Sequence, residues 1–241
     1  MTGRVALVTG GTRGIGAAIS EALKEKGYKV AANYAGNVEK AEAFSKETGI
    51  AAYKFDVSDF DAVQAGMAQI TADLGPIEII VNNAGITRDG TMHRMDYQQW
   101  EDVIHTNLTS CYNTCRAAIE SMRERGFGRI VNVGSVNGQA GQYGQVNYAA
   151  AKSGIHGFTK ALAMEGAAKG ITVNAIAPGY VDTDMVRAVP AEVLAKIIKK
   201  IPAGRLGRAE DIARAVLFLV ADDADFIQGS TLSINGGQHM Y

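Results

Sequence analysis

The sequence predicts an α/β fold built on a doubly wound, mostly parallel sheet, and three observations carry that expectation. Short, almost wholly apolar runs such as Arg4-Val-Ala-Leu-Val-Thr9 and Ile77-Glu-Ile-Ile-Val81 read as strands covered on both faces, as in a parallel sheet. Such runs alternate with helical patterns through short connections, so each helix returns the chain to start another parallel strand. The first strand runs straight into Gly10-Gly11-Thr12-Arg13-Gly14-Ile15-Gly16 and a helix-forming segment, the beginning of a Rossmann-type fold. About seven strands with helices on both faces are expected, and 241 residues fit a single such domain.

Composition narrows the function. Hydrophobic residues at 47% and charged residues at 20% are ordinary for a soluble globule, while 28 glycines exceed average usage and point to turns and close backbone approaches. A net charge of −1 with scattered Lys and Arg argues against a nucleic-acid surface, which needs a clustered basic patch. A small-molecule ligand is expected instead. The apolar run near Met1 is too short for a signal peptide, and nowhere do about 18 apolar residues follow one another. A cytoplasmic protein without a membrane span is therefore expected. Cys111 and Cys115 stand four apart in a helical pattern with no second ligand pair nearby, so buried free thiols are expected rather than a metal site.

Taken in order, the glycine turn after the first strand lets the backbone approach a pyrophosphate, whose charge the amides of the next helix bind. Gly10, Thr12, Arg13, Gly14, Ile15 and Gly16 are the candidate contacts, although their Gly-x-x-x-Gly-x-Gly spacing departs from the commoner Gly-x-Gly-x-x-Gly. The second strand, Tyr28 to Tyr34, runs on into Ala35-Gly36-Asn37 with no acid before Glu39. An acid there would bind a ribose 2′-hydroxyl. Its absence leaves room for a 2′-phosphate beside Tyr34, which Arg13 could pair with, so NADP(H) is the expected cofactor. Arg13 could also be a solvated loop cation.

A helix over 38–48 leads to the strand Ile50–Phe55 and to Asp56-Val57, where Asp56 could cap the helix that follows over 60–74. Gly75-Pro76 ends that helix, and the strand Ile77–Val81 opens onto Asn82-Asn83-Ala84-Gly85. Around Trp100 a long helix begins that should end near Arg125-Gly126; Asn107 lies inside its apolar pattern, where an amide is usually a satisfied core group. The strand Ile130–Val133 ends near Ser135, a helix covers 145–169, and the strand Ile171–Ile176 opens onto Ala177-Pro178-Gly179-Tyr180-Val181-Asp182-Thr183. The stretch 184–208 is amphipathic and basic, with Arg187, Lys196, Lys199, Lys200 and Arg205. It is expected as a lid over the substrate, or as a solvated face. A helix over 209–219 and a strand over 230–237 close the chain.

The chemistry concentrates between Ser135 and Lys152. Tyr148 and Lys152 stand one helical turn apart and share a face. Bringing a phenol from ~10 to ~7 takes roughly 4 kcal/mol, and one cation at ~4 Å supplies that only where the effective dielectric is near ~20. The pair can therefore make an acid in a partly closed cleft. Ser135, at a strand end, can hold a substrate oxygen.

Ser135 with Tyr148-Ala-Ala-Ala-Lys152, the Gly10–Gly16 loop and Asn82-Asn83-Ala84-Gly85 resemble the short-chain dehydrogenase/reductase family, and the likeness extends from Arg4 to Gly237. The resemblance implies a catalytic tetrad of Asn107, Ser135, Tyr148 and Lys152, with Asn107 interrupting its helix to hold a water beside the lysine. It implies that Asp56 contacts the adenine amino group, that Val57, Asn83, Ala84 and Gly85 lie along the adenosine, and that Pro178, Gly179, Val181 and Thr183 serve the nicotinamide end. Gly134 departs from the family, where a second serine is common. The finer motifs Ile86-Thr-Arg-Asp89, Ser135-Val-Asn-Gly-Gln139 and Asn235-Gly-Gly-Gln-His-Met240 are similar to those of the branch that reduces acetoacetyl-CoA in bacterial polyhydroxyalkanoate synthesis. That likeness implies NADPH, an acyl-CoA thioester substrate and a homotetramer. Gln142, Tyr143 and Gln145 ahead of Tyr148, with Tyr180 opposite, would shape a small acyl pocket together with Ser135. Reduction of 3-oxoacyl groups on a carrier protein is the nearest alternative, and a silent NADP-sensing or scaffold protein the next.

Overall fold

The computed structural model describes residues 3–187 and 189–240. Seven strands form one sheet: β1 (Val5–Val8), β2 (Lys29–Tyr34), β3 (Ala51–Lys54), β4 (Ile77–Asn82), β5 (Gly128–Val133), β6 (Ile171–Pro178) and β7 (Thr231–Ile234). Their order is β3-β2-β1-β4-β5-β6-β7 and every pairing is parallel. All four residues of β1 are buried. Ala6 and Val8 face one apolar cluster while Val5 and Leu7 face another, which is why the run shows no polar alternation.

The helices divide between those two clusters. α1 (Gly14–Glu25), α2 (Val38–Thr48) and α10 (Ala209–Val220) cover one face through Ile19, Leu23, Phe44, Ile212 and Val216. The opposite face carries α3 (Phe60–Leu74), α5 (Ser110–Arg125) and α7 (Val146–Gly166), through Val63, Ile70, Cys115, Met122 and Ala163. Cys111 and Cys115 are buried free thiols. The chain winds outward from β1 to β3, then crosses to β4 on the other side, so the winding reverses between β1 and β4. That reversal opens a crevice at the carboxyl ends of the strands. Every candidate site loop leaves one of those ends.

Several boundaries differ from expectation for local reasons. The helix expected from about Trp100 to Arg125 is three pieces: α4 (Tyr97–Ile104), a π-helical segment (His105–Thr109) and α5. Asp96 closes a capping box with Gln99, which starts α4 ahead of Trp100. A short helix, α6 (Val136–Ala140), stands where no element was expected; Ser135 is its N-cap and accepts the Asn137 N–H. Asp59, not Asp56, caps α3 by accepting the Ala62 N–H at 3.0 Å, while Asp56 Oδ1 takes the Ser58 amide and hydroxyl at 2.8 and 2.7 Å. The stretch expected as a lid holds α8 (Asp184–Arg187) and α9 (Ala191–Lys199), and no residue of α9 is fully buried. No helix among the described residues is long and apolar enough to cross a membrane.

Candidate active site

Ser135 leaves the end of β5 in extended conformation and turns at once into α6. Its hydroxyl oxygen is oriented by the Asn137 N–H at 3.1 Å, so its own proton is left for another acceptor. α6 lies tightly on α7: a Cβ at Gly138 would sit 2.7 Å from the Lys152 carbonyl carbon and 2.8 Å from its Cβ. This close approach brings Ser135 up to Tyr148, which is partly exposed. Burial raises the phenol's pKa, the hydrogen bond from Ser135 opposes the rise, and the nearby Asp89 and Tyr180 add to it.

Lys152 is 3% exposed, its Nζ donates to Val133 O at 2.7 Å, and it lies 5.7 Å from the centroid of the Tyr148 ring. Burial holds the ammonium's pKa down at about 8, with Cys111 pulling weakly the other way. Both members of the Tyr-Lys pair are thus pushed toward their neutral forms in the protein alone. Asn107 sits in the π-helical segment, 1% exposed. Its Oδ1 accepts the Ile86 N–H at 2.8 Å and its Nδ2 donates to Ile86 O at 2.9 Å, which clamps the loop after β4. The amide is satisfied, as a core reading required, and it is also beside the lysine. A Cβ at Gly85 would lie 3.3 Å from Asn107 Oδ1 and 3.5 Å from Lys152 Nζ. Asn107, Ser135, Tyr148 and Lys152 therefore converge.

The glycine loop forms the opposite wall. At Gly16 a Cβ would lie 2.0 Å from Gly10 O and 2.7 Å from Asn83 Nδ2, so only glycine allows the turn to close against the loop after β4. Asn83 Nδ2 donates to Thr9 O at 2.9 Å, and the Thr9 hydroxyl takes the amides of Asn83 and Ala84 at 2.9 and 3.0 Å. Across the crevice, Thr183 is the nearest side chain to Gly14, 3.6 Å from a Cβ placed there. Thr12 and Ile15 are half-buried, and Arg13 is exposed, its carbonyl accepting the Ala17 N–H at 3.1 Å while its guanidinium makes no hydrogen bond or ion pair to a described residue. Tyr34 ends β2, and the nearest carboxylate by sequence, Glu39, is an exposed residue of α2. The cradle fits a dinucleotide: a floor without side chains, a helix N-terminus, and a free guanidinium at one end.

Not every expected residue has a free side chain. Val57 is buried in the core and offers only backbone. Gln145 accepts the Asn137 amide at 2.9 Å and donates to both Asp89 oxygens at 3.0 and 3.1 Å, so it braces the loops around Tyr148 rather than presenting a free amide. Gln142 is exposed and Tyr143 is 86% exposed, at the rim. Tyr180 is near Tyr148, Pro178 ends β6, Gly179 packs against the C-terminal turn, and the buried Val181 bridges to Gly207.

Other residues support the site without having been singled out. Asn33 ties the loop after β1 to the end of β3 by accepting the Gly10 N–H at 3.3 Å and donating to Phe55 O at 2.8 Å. A buried chain crosses the sheet: Thr114 donates to Asn82, Asn82 to Asn132, and Asn132 to Thr159, at 2.7, 2.8 and 2.9 Å. Asn147 donates to Arg88 O and Gln99 O, both at 3.0 Å, which fixes the start of α7. Their signal was available, since an Asn inside an apolar strand run must have partners.

A family model described as Enoyl-(Acyl carrier protein) reductase matches residues 10–239. The chain is 64% identical over 237 residues to an acetoacetyl-CoA reductase of Rhizobium meliloti and 63% identical over 236 residues to one of Shinella zoogloeoides, with 98% of each chain covered. It is 49% identical over 242 residues to a 3-oxoacyl-(acyl-carrier-protein) reductase of Haemophilus influenzae, with 100% of each covered. The converged Asn, Ser, Tyr and Lys, the glycine crevice and these matches agree: the chain belongs to the short-chain dehydrogenase/reductase family, oxidoreductases that use a nicotinamide cofactor.

Proposed function

We propose that this protein reduces acetoacetyl-CoA to (R)-3-hydroxybutyryl-CoA with NADPH, in the cytoplasm, as a step toward polyhydroxyalkanoate. The observation that carries the reaction class is the packing of Ser135, Tyr148 and Lys152 into one corner that faces the glycine crevice. The substrate rests on the relatives: those at 63–64% identity are named for acetoacetyl-CoA, whereas the carrier-protein reductase stands at 49%.

When bound, the nicotinamide supplies a hydride to the 3-carbonyl carbon. Tyr148 gives its proton to the carbonyl oxygen as charge develops there, and the Ser135 hydroxyl holds that oxygen in line. Lys152, 3% exposed beside Tyr148, would favour the phenolate left behind and reach the nicotinamide ribose. Asn107 holds the water that returns the proton. Arg13 would pair with the 2′-phosphate, Asp56, whose Oδ1 is taken by Ser58, would offer its other oxygen to the adenine, and Thr183 and the Val181 backbone would fix the carboxamide. The domain is single, with 184–208 as its lid, hinged at Thr183 and at Gly207, which exchanges hydrogen bonds with Tyr180 and Asp182. A homotetramer assembles through the outer faces of α5 and α7.

Steady-state rates at matched ionic strength test this reading. The highest kcat/KM is expected for acetoacetyl-CoA over longer 3-oxoacyl-CoA esters and over the carrier-protein thioester. A clear preference for the carrier protein would move the enzyme to fatty-acid synthesis. Arg13→Ala should weaken NADPH roughly tenfold or more, as loss of a charge-assisted pair does, and leave NADH nearly unchanged; equal kcat/KM for the two cofactors in the wild type would overturn the NADP assignment.

A further inference from the structure

The C-terminal turn Asn235-Gly236-Gly237-Gln238 has no role in the chemistry above, yet it joins two parts of the substrate side. Gly236 and Gly237 take φ of +63° and +88°, a conformation that L side chains resist, and so fold the chain back after β7. The turn is closed internally, with the Gly237 N–H on Asn235 Oδ1 at 3.0 Å and the Gln238 N–H on Asn235 O at 3.2 Å. On one side the Gln238 side chain reaches the corner after β6, where its Oε1 accepts the Tyr180 N–H at 3.2 Å. Gly179 leaves no choice of neighbour there. A Cβ on it would lie 2.5 Å from Gln238 Oε1 and 2.8 Å from Asn235 Cα.

On the other side the turn holds the end of the lid segment. Gly236 O accepts the Ala203 N–H at 2.9 Å, and Cβ atoms at Gly236 and Gly237 would lie 2.9 Å from Ile201 Cγ2 and 3.1 Å from Pro202 Cβ. A cavity of about 260 Å³ remains between these pieces, lined in part by Tyr180, Ile201, Ala203 and Asn235. Tyr180, in turn, is near enough to Tyr148 to raise its pKa. One side-chain oxygen thus links the C-terminal turn to a residue beside the proton donor.

We propose that Gln238 is a positioning residue that sets acyl-chain selection: by holding the Tyr180 amide it fixes that wall of the acyl pocket relative to the end of the lid. This rests on the reading of Tyr180 as a pocket residue. A mere structural tie would lower stability and affect cofactor and substrate alike. A tie to the pocket wall alters KM and chain-length preference well beyond any change in NADPH affinity, to which the adjoining Gly179 and Val181 backbone is assigned.

The test compares Gln238→Met, similar in length but a poor acceptor, with Gln238→Glu, which keeps an oxygen for the Tyr180 N–H. The readouts are kcat and KM for the four- and six-carbon 3-oxoacyl-CoA esters, the Kd for NADPH by its fluorescence, and Tm. Gln238→Met should raise KM for the four-carbon ester about tenfold, as a small misplacement of a binding group does. It should shrink the four-to-six-carbon ratio of kcat/KM while changing the NADPH Kd and Tm far less than that KM, and Gln238→Glu should restore the ratio. An unchanged ratio in Gln238→Met overturns the proposal, and so does a parallel loss in KM, NADPH affinity and Tm. A wild type that favours the longer ester would refute the substrate reading alone, because a shift of the ratio in Gln238→Met would still support the role of Gln238.

Discussion

Burial drives Tyr148 and Lys152 toward neutrality, and the lysine carries a measurable consequence for stability. Its folded pKa is about 8, against roughly 10.4 in an unfolded chain. Between those values the unfolded state binds more protons, so this residue's contribution to stability rises with pH from about 8 to about 10 and is lowest below 8. Lys152→Met should therefore raise Tm at pH 7 while abolishing turnover. The Tm gap over wild type should narrow as pH climbs toward 9.5, and calorimetry of both proteins across that range decides; a gap constant with pH would show that the ammonium is not penalised by burial. The buried thiols, pushed up to about 11 and about 12, destabilise the fold at high pH in both proteins, so most of their effect cancels in the comparison. At the partner residue, Tyr148→Phe removes the proposed proton donor but little volume. Its kcat should fall at least about a hundredfold with NADPH affinity kept, as single-turnover rates and fluorescence titration would show; near-normal turnover would sink the assignment.

Elements built on strict local chemistry were legible in the sequence, and those built on tertiary pressure were not. The span of α2 is set by Asn37 at its start and Gly49, at φ +65°, at its end, signals that need no other part of the chain. The apolar runs of β1 and β4 were equally clear. The π-helical segment at His105–Thr109 left no mark in the apolar pattern, which stays helical on both sides; the family resemblance alone implied an interruption at Asn107, whose reach across to Ile86 specifies it. Helix α6 was missed because five residues containing a glycine carry no helical period; it forms because Ser135 caps it and α7 receives it at Gly138. The glycine loop lies between these cases. Its position was readable, but the necessity of Gly16 depends on how closely Gly10 and Asn83 approach it. Gly16→Ala should displace the loop, lowering stability by about 1–3 kcal/mol, as overpacking does, and weakening NADPH tenfold or more. Thermal unfolding and titration would measure both, and a variant with wild-type affinity would mean that the loop does not carry the pyrophosphate.

Across the whole molecule, the buried Thr114-Asn82-Asn132-Thr159 chain ties α5 to α7 through the sheet, so the outer surfaces of these two helices are held as one rigid face. On α7, Ala150, Ser153, Gly157, Ala161 and Met164 recur along the exposed side, with Met164 84% exposed, and on α5 Tyr112 stands 51% exposed. Other small residues of α7 are used within the chain: Ala151 is fully buried, and a Cβ at Gly154 would meet Leu108 at 2.8 Å. Gly157 is different, because a Cβ there meets nothing within 4 Å. A glycine inside an exposed helix costs about 1 kcal/mol relative to a good helix former, so a lone chain gains nothing from keeping it. An assembly that packs α7 closely against a second copy does gain. Gly157→Gln therefore separates the two cases by sign. If the chain works alone, the substitution should raise Tm by a few degrees and leave sedimentation unchanged. If α5 and α7 form an interface of a tetramer, it should lower the apparent Tm, make it depend on protein concentration, and shift sedimentation toward smaller species at micromolar concentration. The second outcome is expected, and a more stable variant of unchanged mass would remove this face from the assembly.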